Sequence, residues 1–93
     1  MVKITKKGSK AWVTFAFAPR EDITSVELLG EWSEWKNEAM KQKKSGEFSI
    51  TKILKTGNSY EFGYRINGEV WNHDPACPSV PTAFGSENSL LEL

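Results

Sequence analysis

The feature that most constrains the fold of this chain is its two-residue alternation of apolar and polar side chains. In residues 11–18 the apolar side chains of Val13, Phe15 and Phe17 recur at every second position. A period of two matches a β-strand, in which successive side chains point to opposite faces. No segment has the 3.6-residue spacing typical of an amphipathic helix. The sequence therefore predicts an all-β fold.

Turn signals divide the alternating segments at intervals of about 8–12 residues. Further strands are expected over residues 25–30, 39–42, 47–54, 59–66, 69–71 and 88–93. Asn67-Gly68 predicts a two-residue hairpin, because both residues tolerate positive φ. Residues 73–87 contain three prolines and are expected to form a long surface loop. Six to eight short strands separated in this way predict an antiparallel β-sandwich of immunoglobulin-like type.

Length and charge narrow the classes of function. The 93 residues are enough for one domain, 1–93, in which residues 1–10 can be a loosely ordered N-terminal arm. Twelve basic and twelve acidic residues cancel, so neither nucleic acid nor an anionic membrane is an expected partner. The absence of a long apolar run, of a signal peptide and of a second cysteine to pair with Cys77 favours a cytoplasmic location.

Residues suited to catalysis or metal binding are sparse. His73-Asp74 is the one adjacent pair that could suggest acid–base chemistry, but no second acid or nucleophile is spaced to complete a site. An Asp before Pro75 is more typical of a turn. One histidine and the lone Cys77 cannot build a zinc site. We therefore expect neither an enzyme nor a bound metal or cofactor.

Two of the four tryptophans, Trp35 and Trp71, lie in polar, turn-like surroundings where a core residue would be out of place. A flat apolar ring surrounded by hydrogen-bonding groups suits a sugar, because its faces carry C–H groups and its edge carries hydroxyls. These residues therefore indicate a carbohydrate-binding platform. The alternative is that both rings only cap the open edges of the sandwich.

Four segments in order carry a resemblance to a known family: residues 28–35, 60–68, 71–75 and 84–91, with the sequences LLGEWSEW, YEFGYRING, WNHDP and FGSENSLL. From about Ala11 to Leu93 the chain resembles the glycogen-binding modules of carbohydrate-binding module family 48. These include the early-set domains of isoamylases and branching enzymes and of the β subunit of AMP-activated protein kinase. The resemblance implies an early-set, immunoglobulin-like sandwich that binds α-1,4-linked glucan polysaccharide or maltooligosaccharide without catalysis.

The resemblance also implies roles for individual residues. Trp35 and Trp71 would stack on glucose units, whereas Trp32 would anchor the core. An amide such as that of Asn88 can both donate to and accept from sugar hydroxyls. The implied carbohydrate-binding residues are Trp35, Trp71, Asn88, Phe84, Ser86 and Arg65. Two of these have structural alternatives, since Asn88 can be a turn residue and Phe84 a plug for the end of the sandwich.

The chain departs from the family pattern at the proposed site. Gly63 stands where the family has a basic residue, which removes a donor to sugar hydroxyls unless Arg65, on the same outward face, replaces it. One additional residue also separates Gly68 from Trp71. These departures leave open a second hypothesis, an early-set interaction module that has lost sugar binding. Its unpaired edge strands would dock on an enzyme of glycogen metabolism or on a second copy.

Overall fold

The computed structural model describes residues 2–18, 20–83 and 85–93. Within these ranges the chain consists mainly of short strands, with one turn of 3₁₀ helix at Glu31–Ser33. The strands are β1 (Val2–Lys7), β2 (Lys10–Phe17), β3 (Val26–Gly30), β4 (Glu38–Ala39), β5 (Lys41–Gln42), β6 (Phe48–Lys55), β7 (Ser59–Ile66), β8 (Val70–Asn72), β9 (Ser79–Pro81) and β10 (Glu87–Glu92). The described residues include no helix long and apolar enough to cross a membrane.

The strands form two antiparallel sheets. The smaller sheet has the order β1-β2-β6-β5, and the larger has the order β4-β3-β7-β10-β9, with β8 also paired to β7. On one edge β7 pairs with β3, and on the other it pairs first with β10 and then with β8. Strand β7 is therefore the centre of the larger sheet, and the predicted all-β sandwich is confirmed.

The core lies between the two sheets. Phe15 of the smaller sheet packs edge-on against Phe62 of the larger, with ring centroids 5.1 Å apart. Burying each large apolar side chain stabilises the fold by about 1.5–3 kcal/mol. The inward side chains are those that the alternation predicts, and the buried cluster contains Ala11, Val13, Phe15, Ile23, Val26, Leu28, Met40, Phe48, Leu54, Phe62, Tyr64, Ile66 and Leu91.

The chain crosses from one sheet to the other at Met40. The short strand expected over residues 39–42 is two strands, because β4 pairs with β3 in the larger sheet while β5 pairs with β6 in the smaller. Met40 lies between them with its side chain in the core, and its N–H donates to the Val26 carbonyl at 2.9 Å. This crossing connects the two sheets on one side of the sandwich.

Two expectations about irregular segments need correction. Residues 1–10, expected as a loose arm, contain β1, which pairs with β2 from Val2↔Phe15 to Lys7↔Lys10. The loop expected over residues 73–87 contains β9, which pairs with β10, and Asp74 within it is completely buried. In each case the added strand pairs the backbone N–H and C=O groups along the free edge of a neighbour, β2 for β1 and β10 for β9.

Candidate functional site

The outward face of the larger sheet carries an open groove of about 670 Å³. Phe62 and Tyr64 of β7 point into the core, so the pleat directs Glu61, Gly63 and Arg65 outward. Neighbouring strands and the turn after β3 supply the remaining walls. The groove is lined by Leu29, Trp35, Asn37, Glu61, Arg65, Trp71, Val80, Pro81, Thr82, Ser86 and Asn88.

The structure brings together most of the residues selected from the sequence. Trp35, Trp71, Asn88, Ser86 and Arg65 all line this groove. Phe84, the sixth, lies outside the described residues.

Sequence reasoning missed some of the groove's polar lining. Glu61 was missed although the alternation already placed it on the outward face with Gly63 and Arg65. Asn37, Thr82 and Pro81 come from turns or strand ends, and their sequence carries no comparable signal.

The two tryptophans of the groove face each other across a short gap. Their ring centroids are 6.3 Å apart and their planes are inclined by 55°. Trp35 is 38% exposed, and Trp71 is partly buried. The two rings are therefore not stacked on each other, and their flat apolar faces point in different directions. Such a surface matches a ligand that curves between successive flat units.

The position of Trp71 depends on the absence of a side chain at Gly63. A Cβ atom at Gly63 would lie only 2.1 Å from Cζ2 of Trp71, so the indole occupies the space that any side chain at position 63 would need. The indole Nε1–H donates to the Glu87 carbonyl at 3.0 Å. Trp71 is the cross-strand partner of Arg65 in the β7–β8 hairpin. The glycine that stands where the family has a basic residue therefore also leaves room for the second indole.

Trp35 is positioned by an unusual backbone. Glu34 and Trp35 both have left-handed φ values, 56° and 64°. This conformation costs a residue with a side chain roughly 1–2 kcal/mol. The N–H of Trp35 donates to the Gly30 carbonyl at 2.9 Å, which closes the turn that follows β3. Local strain of this kind often marks functional positions, because the surrounding structure must maintain it.

Trp32, one turn earlier, serves the core rather than the groove. Its ring lies over Gly30 and its centroid is 5.3 Å from that of Phe15. Its Nε1–H donates to Oε1 of Glu38 at 2.9 Å, and Lys52 also donates to the Glu38 carboxylate. Burial pushes the pKa of Glu38 upward, but these donors outweigh it and hold that pKa below its usual value. An ionised carboxylate thus anchors the turn that carries Trp35.

Polar groups surround the two indoles. The Asn88 amide Nδ2 donates to Oε1 of Glu61 at 3.2 Å, and the Oδ1 of the same amide is an acceptor. The hydroxyls of Thr82 and Ser86 are 2.9 Å apart. Arg65 has no ion-pair partner among the described residues. The groove therefore combines apolar planes with both donors and acceptors.

Comparison with known proteins decides the family. The profile of a family described as the glycogen recognition site of AMP-activated protein kinase matches residues 13–93. The chain belongs to this family. Membership confirms the resemblance inferred from the four sequence segments and supports non-catalytic glycogen binding by this glycogen recognition domain.

The chain spans about a third or less of the length of the relatives described here. It is 26% identical over 88 residues to the SNF1-related protein kinase regulatory subunit beta-2 of Arabidopsis thaliana, covering 95% of this chain but 28% of that subunit. Its fold is similar to part of the crystal structure of the enterobactin esterase FES from Shigella flexneri. That likeness has a TM-score of 0.78 at 14% identity, covers 99% of this chain and 32% of the esterase, and shows the fold alone.

Of the two residues that could have suggested catalysis, Asp74 has a structural role. Asp74 is buried, where Tyr64 donates its hydroxyl to Oδ2 at 2.8 Å and the Ala76 N–H donates to Oδ1 at 2.9 Å. His73 is exposed, with its Nε2 3.8 Å from the Glu87 carboxylate. In the part of the chain that the structure describes, no three His, Cys, Asp or Glu side chains gather as a metal site would require.

Proposed function

We propose that the domain binds α-1,4-linked glucans, such as glycogen, starch chains and maltooligosaccharides, by stacking glucose units on Trp35 and Trp71 without catalysing a reaction. The observation that carries the proposal is the inclined pair of indoles in an open groove, 6.3 Å apart at 55°. An α-1,4-glucan curves from one glucose to the next, so successive units can lie against two inclined planes. A straight β-1,4-glucan has no such match.

The polar groups of the groove would set the orientation of the chain. Asn88, Ser86 and Arg65 would bond sugar hydroxyls, with Arg65 supplying the donor that Gly63 lacks, and Phe84 would add an apolar contact. Each stacking contact contributes on the order of 0.5–1.5 kcal/mol beyond area burial, by analogy with aromatic pairs. Such a shallow site is expected to bind with a Kd of roughly micromolar to millimolar.

Location and partners complete the proposal. A cytoplasmic site of action suits a domain that recognises glycogen and carries a single thiol, Cys77. The relative among kinase regulatory subunits favours a protein partner in glycogen metabolism. The weak single site would still keep such a partner on a polymer, because repeated glucose units raise the effective concentration.

The test is a titration with maltoheptaose by isothermal calorimetry, with cellohexaose as the unmatched ligand. We expect Trp35→Ala and Trp71→Ala each to weaken maltoheptaose binding by about tenfold or more, and the double variant to abolish it, because each loses a stacking plane. Trp12→Ala is the matched control, since Trp12 is also 38% exposed but lies on the other sheet. Unchanged binding by a folded double variant would contradict the proposal, and no binding by the wild type up to about 10 mM would favour the interaction module.

A further inference from the structure

Although the net charge is zero, the basic and acidic residues lie in different parts of the fold. The strands and turns of the smaller sheet, residues 2–17 and 41–55, hold nine of the ten lysines and one acidic residue, Glu47. The other eleven acidic residues lie in the rest of the chain, with Lys36 and the two arginines. The premise that the chain has no excess positive charge therefore holds for the whole molecule but not for this side of it.

The outward surface of the smaller sheet has an apolar centre within a ring of lysines. Trp12 and Ile53 are cross-strand partners, 38% and 57% exposed. Beside them the hydroxyls of Thr14 and Thr51 are 2.9 Å apart. Lys3, Lys7, Lys10, Lys41 and Lys55 alternate onto the same surface, which we term the basic face.

Three of these lysines stand side by side across the sheet. The register pairs Lys7 with Lys10 and Lys10 with Lys55. Like charges opposite each other on neighbouring strands are destabilising. None of the five lysines of the basic face has an ion-pair partner among the described residues. The row therefore lacks the negative charge that would offset its own repulsion.

The groove side likewise has an aromatic centre surrounded by charged side chains, but most of these are acidic. Its centre is the Trp35–Trp71 pair, and Glu61 and Arg65 line the groove. Glu27 is the cross-strand partner of Arg65, and Glu31 and Glu34 belong to the turn that leads to Trp35 and Lys36. Glu87 follows the groove residue Ser86, with its carboxylate 3.8 Å from His73. The two surfaces belong to different sheets and face away from each other, on a molecule whose shortest dimension is 22 Å. A single copy therefore cannot bring them together, whereas two copies can.

We propose that the basic face docks on the acidic groove side of a second copy of this chain, so that copies associate head to tail. Protein interfaces commonly combine an aromatic centre with a charged rim, and complementary potentials fix their orientation. Single-stranded nucleic acid stacks successive bases on several aromatic rings, but among the residues that the structure describes, Trp12 is the one large exposed ring of the basic face. A membrane is a poorer match, because Trp12 and Ile53 lie within flat strands rather than on a protruding loop.

Three properties follow from this arrangement. The contact joins two different surfaces on opposite sides of the molecule, so each added copy leaves one surface free for the next, and larger assemblies form as concentration rises. The charges are exposed, and salt at 0.15 M screens them beyond about 8 Å. The contact also covers the groove, so a glucan bound at Trp35 and Trp71 would compete with it, a last property that rests on the proposed function.

The test uses two complementary variants in sedimentation velocity at about 20 mM salt. One neutralises the basic face with Lys7→Gln, Lys10→Gln and Lys55→Gln, and the other neutralises the groove side with Glu27→Gln, Glu34→Gln and Glu87→Gln. We expect the wild type to grow in mass with concentration and to become monomeric at about 0.5 M salt. Each variant alone should stay monomeric, and their mixture should form dimers, because each retains the surface that the other lacks.

The control changes the same number of charges elsewhere, with Lys6→Gln, Lys43→Gln and Lys44→Gln, and should associate like the wild type.

A wild type that stays monomeric up to about 1 mM, or a mixture of the two variants that forms no dimers, would overturn the proposal. So would binding of the basic face to heparin or phosphatidylserine vesicles with no self-association. Association is measured without sugar, and maltoheptaose binding is measured at about 0.5 M salt, where no second copy covers the groove. Failure of one is therefore separate from failure of the other.

Discussion

At the scale of single residues, the contact between Gly63 and Trp71 explains how the chain departs from its family and still keeps a second aromatic plane. From the sequence alone, Gly63 was interpreted as the loss of a basic side chain. The structure shows that a glycine is needed at this position if the Trp71 indole is to lie where it does, since a Cβ there would lie 2.1 Å from the indole. That relation could not be derived from the sequence, because it depends on where a ring from another strand lies.

We expect Gly63→Ala to weaken maltoheptaose binding nearly as much as Trp71→Ala, because the added methyl group must displace the indole. In the double variant the two effects should not add, since both remove the same plane. Gly8→Ala is the matched control. Gly8 lies in the β1–β2 turn of the other sheet with a left-handed φ of 59° and no atom within 4 Å of an added Cβ, so this variant should lower the free energy of unfolding and leave glucan binding unchanged. Calorimetry measures the maltoheptaose affinity of each variant, and urea unfolding measures its stability. Full affinity in a folded Gly63→Ala protein would contradict the proposed dependence of Trp71 on Gly63.

At the scale of elements, the β7–β8 hairpin that carries Trp71 is fixed by its turn residue. Asn67 and Gly68 have φ values of 52° and 70°, as the sequence predicted for this pair. The Asn67 side chain also bonds the loop before β3, with Nδ2 donating to the Asp22 carbonyl at 2.7 Å and Oδ1 accepting from the Thr24 N–H at 2.7 Å. The turn therefore ties the hairpin to the start of the neighbouring strand.

Asn67→Gly should keep the positive φ but lose these bonds, and we expect it to lower the free energy of unfolding by about 1–3 kcal/mol. Asn67→Asp retains the acceptor Oδ1 and should lose less. The matched control is Asn58→Gly, because among the described residues the Asn58 side chain makes a single long bond, from Nδ2 to the Thr56 carbonyl at 3.4 Å. Equal losses for Asn67→Gly and Asn58→Gly in urea unfolding would show that the bonds to the loop contribute nothing.

The sequence predicted the strands with a strong alternation and a marked turn, namely β2, β3, β6, β7 and β10, and the hairpin at Asn67. It missed β1 and β9, which lie at sheet edges and whose pairing depends on a neighbour rather than on their own pattern. It also merged β4 and β5, since nothing local shows that the chain changes sheets at Met40. Of the five described groove residues, Trp35 and Trp71 were selected from their polar surroundings, and Asn88, Ser86 and Arg65 through the family resemblance. Alternation alone would have supplied Glu61 and Arg65.

At the scale of the whole molecule, a buried polar network joins β7, the segment after β8, and β10. Ser89 is buried and its hydroxyl accepts from the Asp74 N–H, while Tyr64 donates to the Asp74 carboxylate. Burial pushes the pKa of Asp74 upward, but its hydrogen bonds, including those from Tyr64 and Ala76, outweigh it and lower that pKa. Burial and the nearby Asp74 carboxylate raise the pKa of Tyr64 well above its usual value.

These shifts predict how stability depends on pH. Asp74 contributes stability that is present above its unfolded pKa of about 4 and is lost as the pH falls through the lower folded value. Tyr64 contributes stability that is present below its unfolded pKa of about 10 and declines at higher pH. We expect Asp74→Asn to lower the free energy of unfolding by about 1–3 kcal/mol at pH 7 and by less at pH 3.

Urea unfolding at both pH values measures this difference. Asp22→Asn is the control, because the Asp22 side chain is 79% exposed and pairs only with Arg20 at 3.8 Å. The same loss for Asp74→Asn at pH 3 and pH 7 would mean that the ionised carboxylate is not what stabilises the network.

The order of strands in the larger sheet has a kinetic consequence. The β7–β8 and β9–β10 hairpins join near neighbours in the sequence, but β3 pairs with β7 although β4, β5 and β6 intervene. Pairings of this kind form late, and folds dominated by them fold in milliseconds to seconds. Trp35 follows β3 and Trp71 lies in β8, so the two indoles meet only after that pairing. Tryptophan fluorescence during refolding should therefore change when β3 pairs with β7 and the two indoles come into contact.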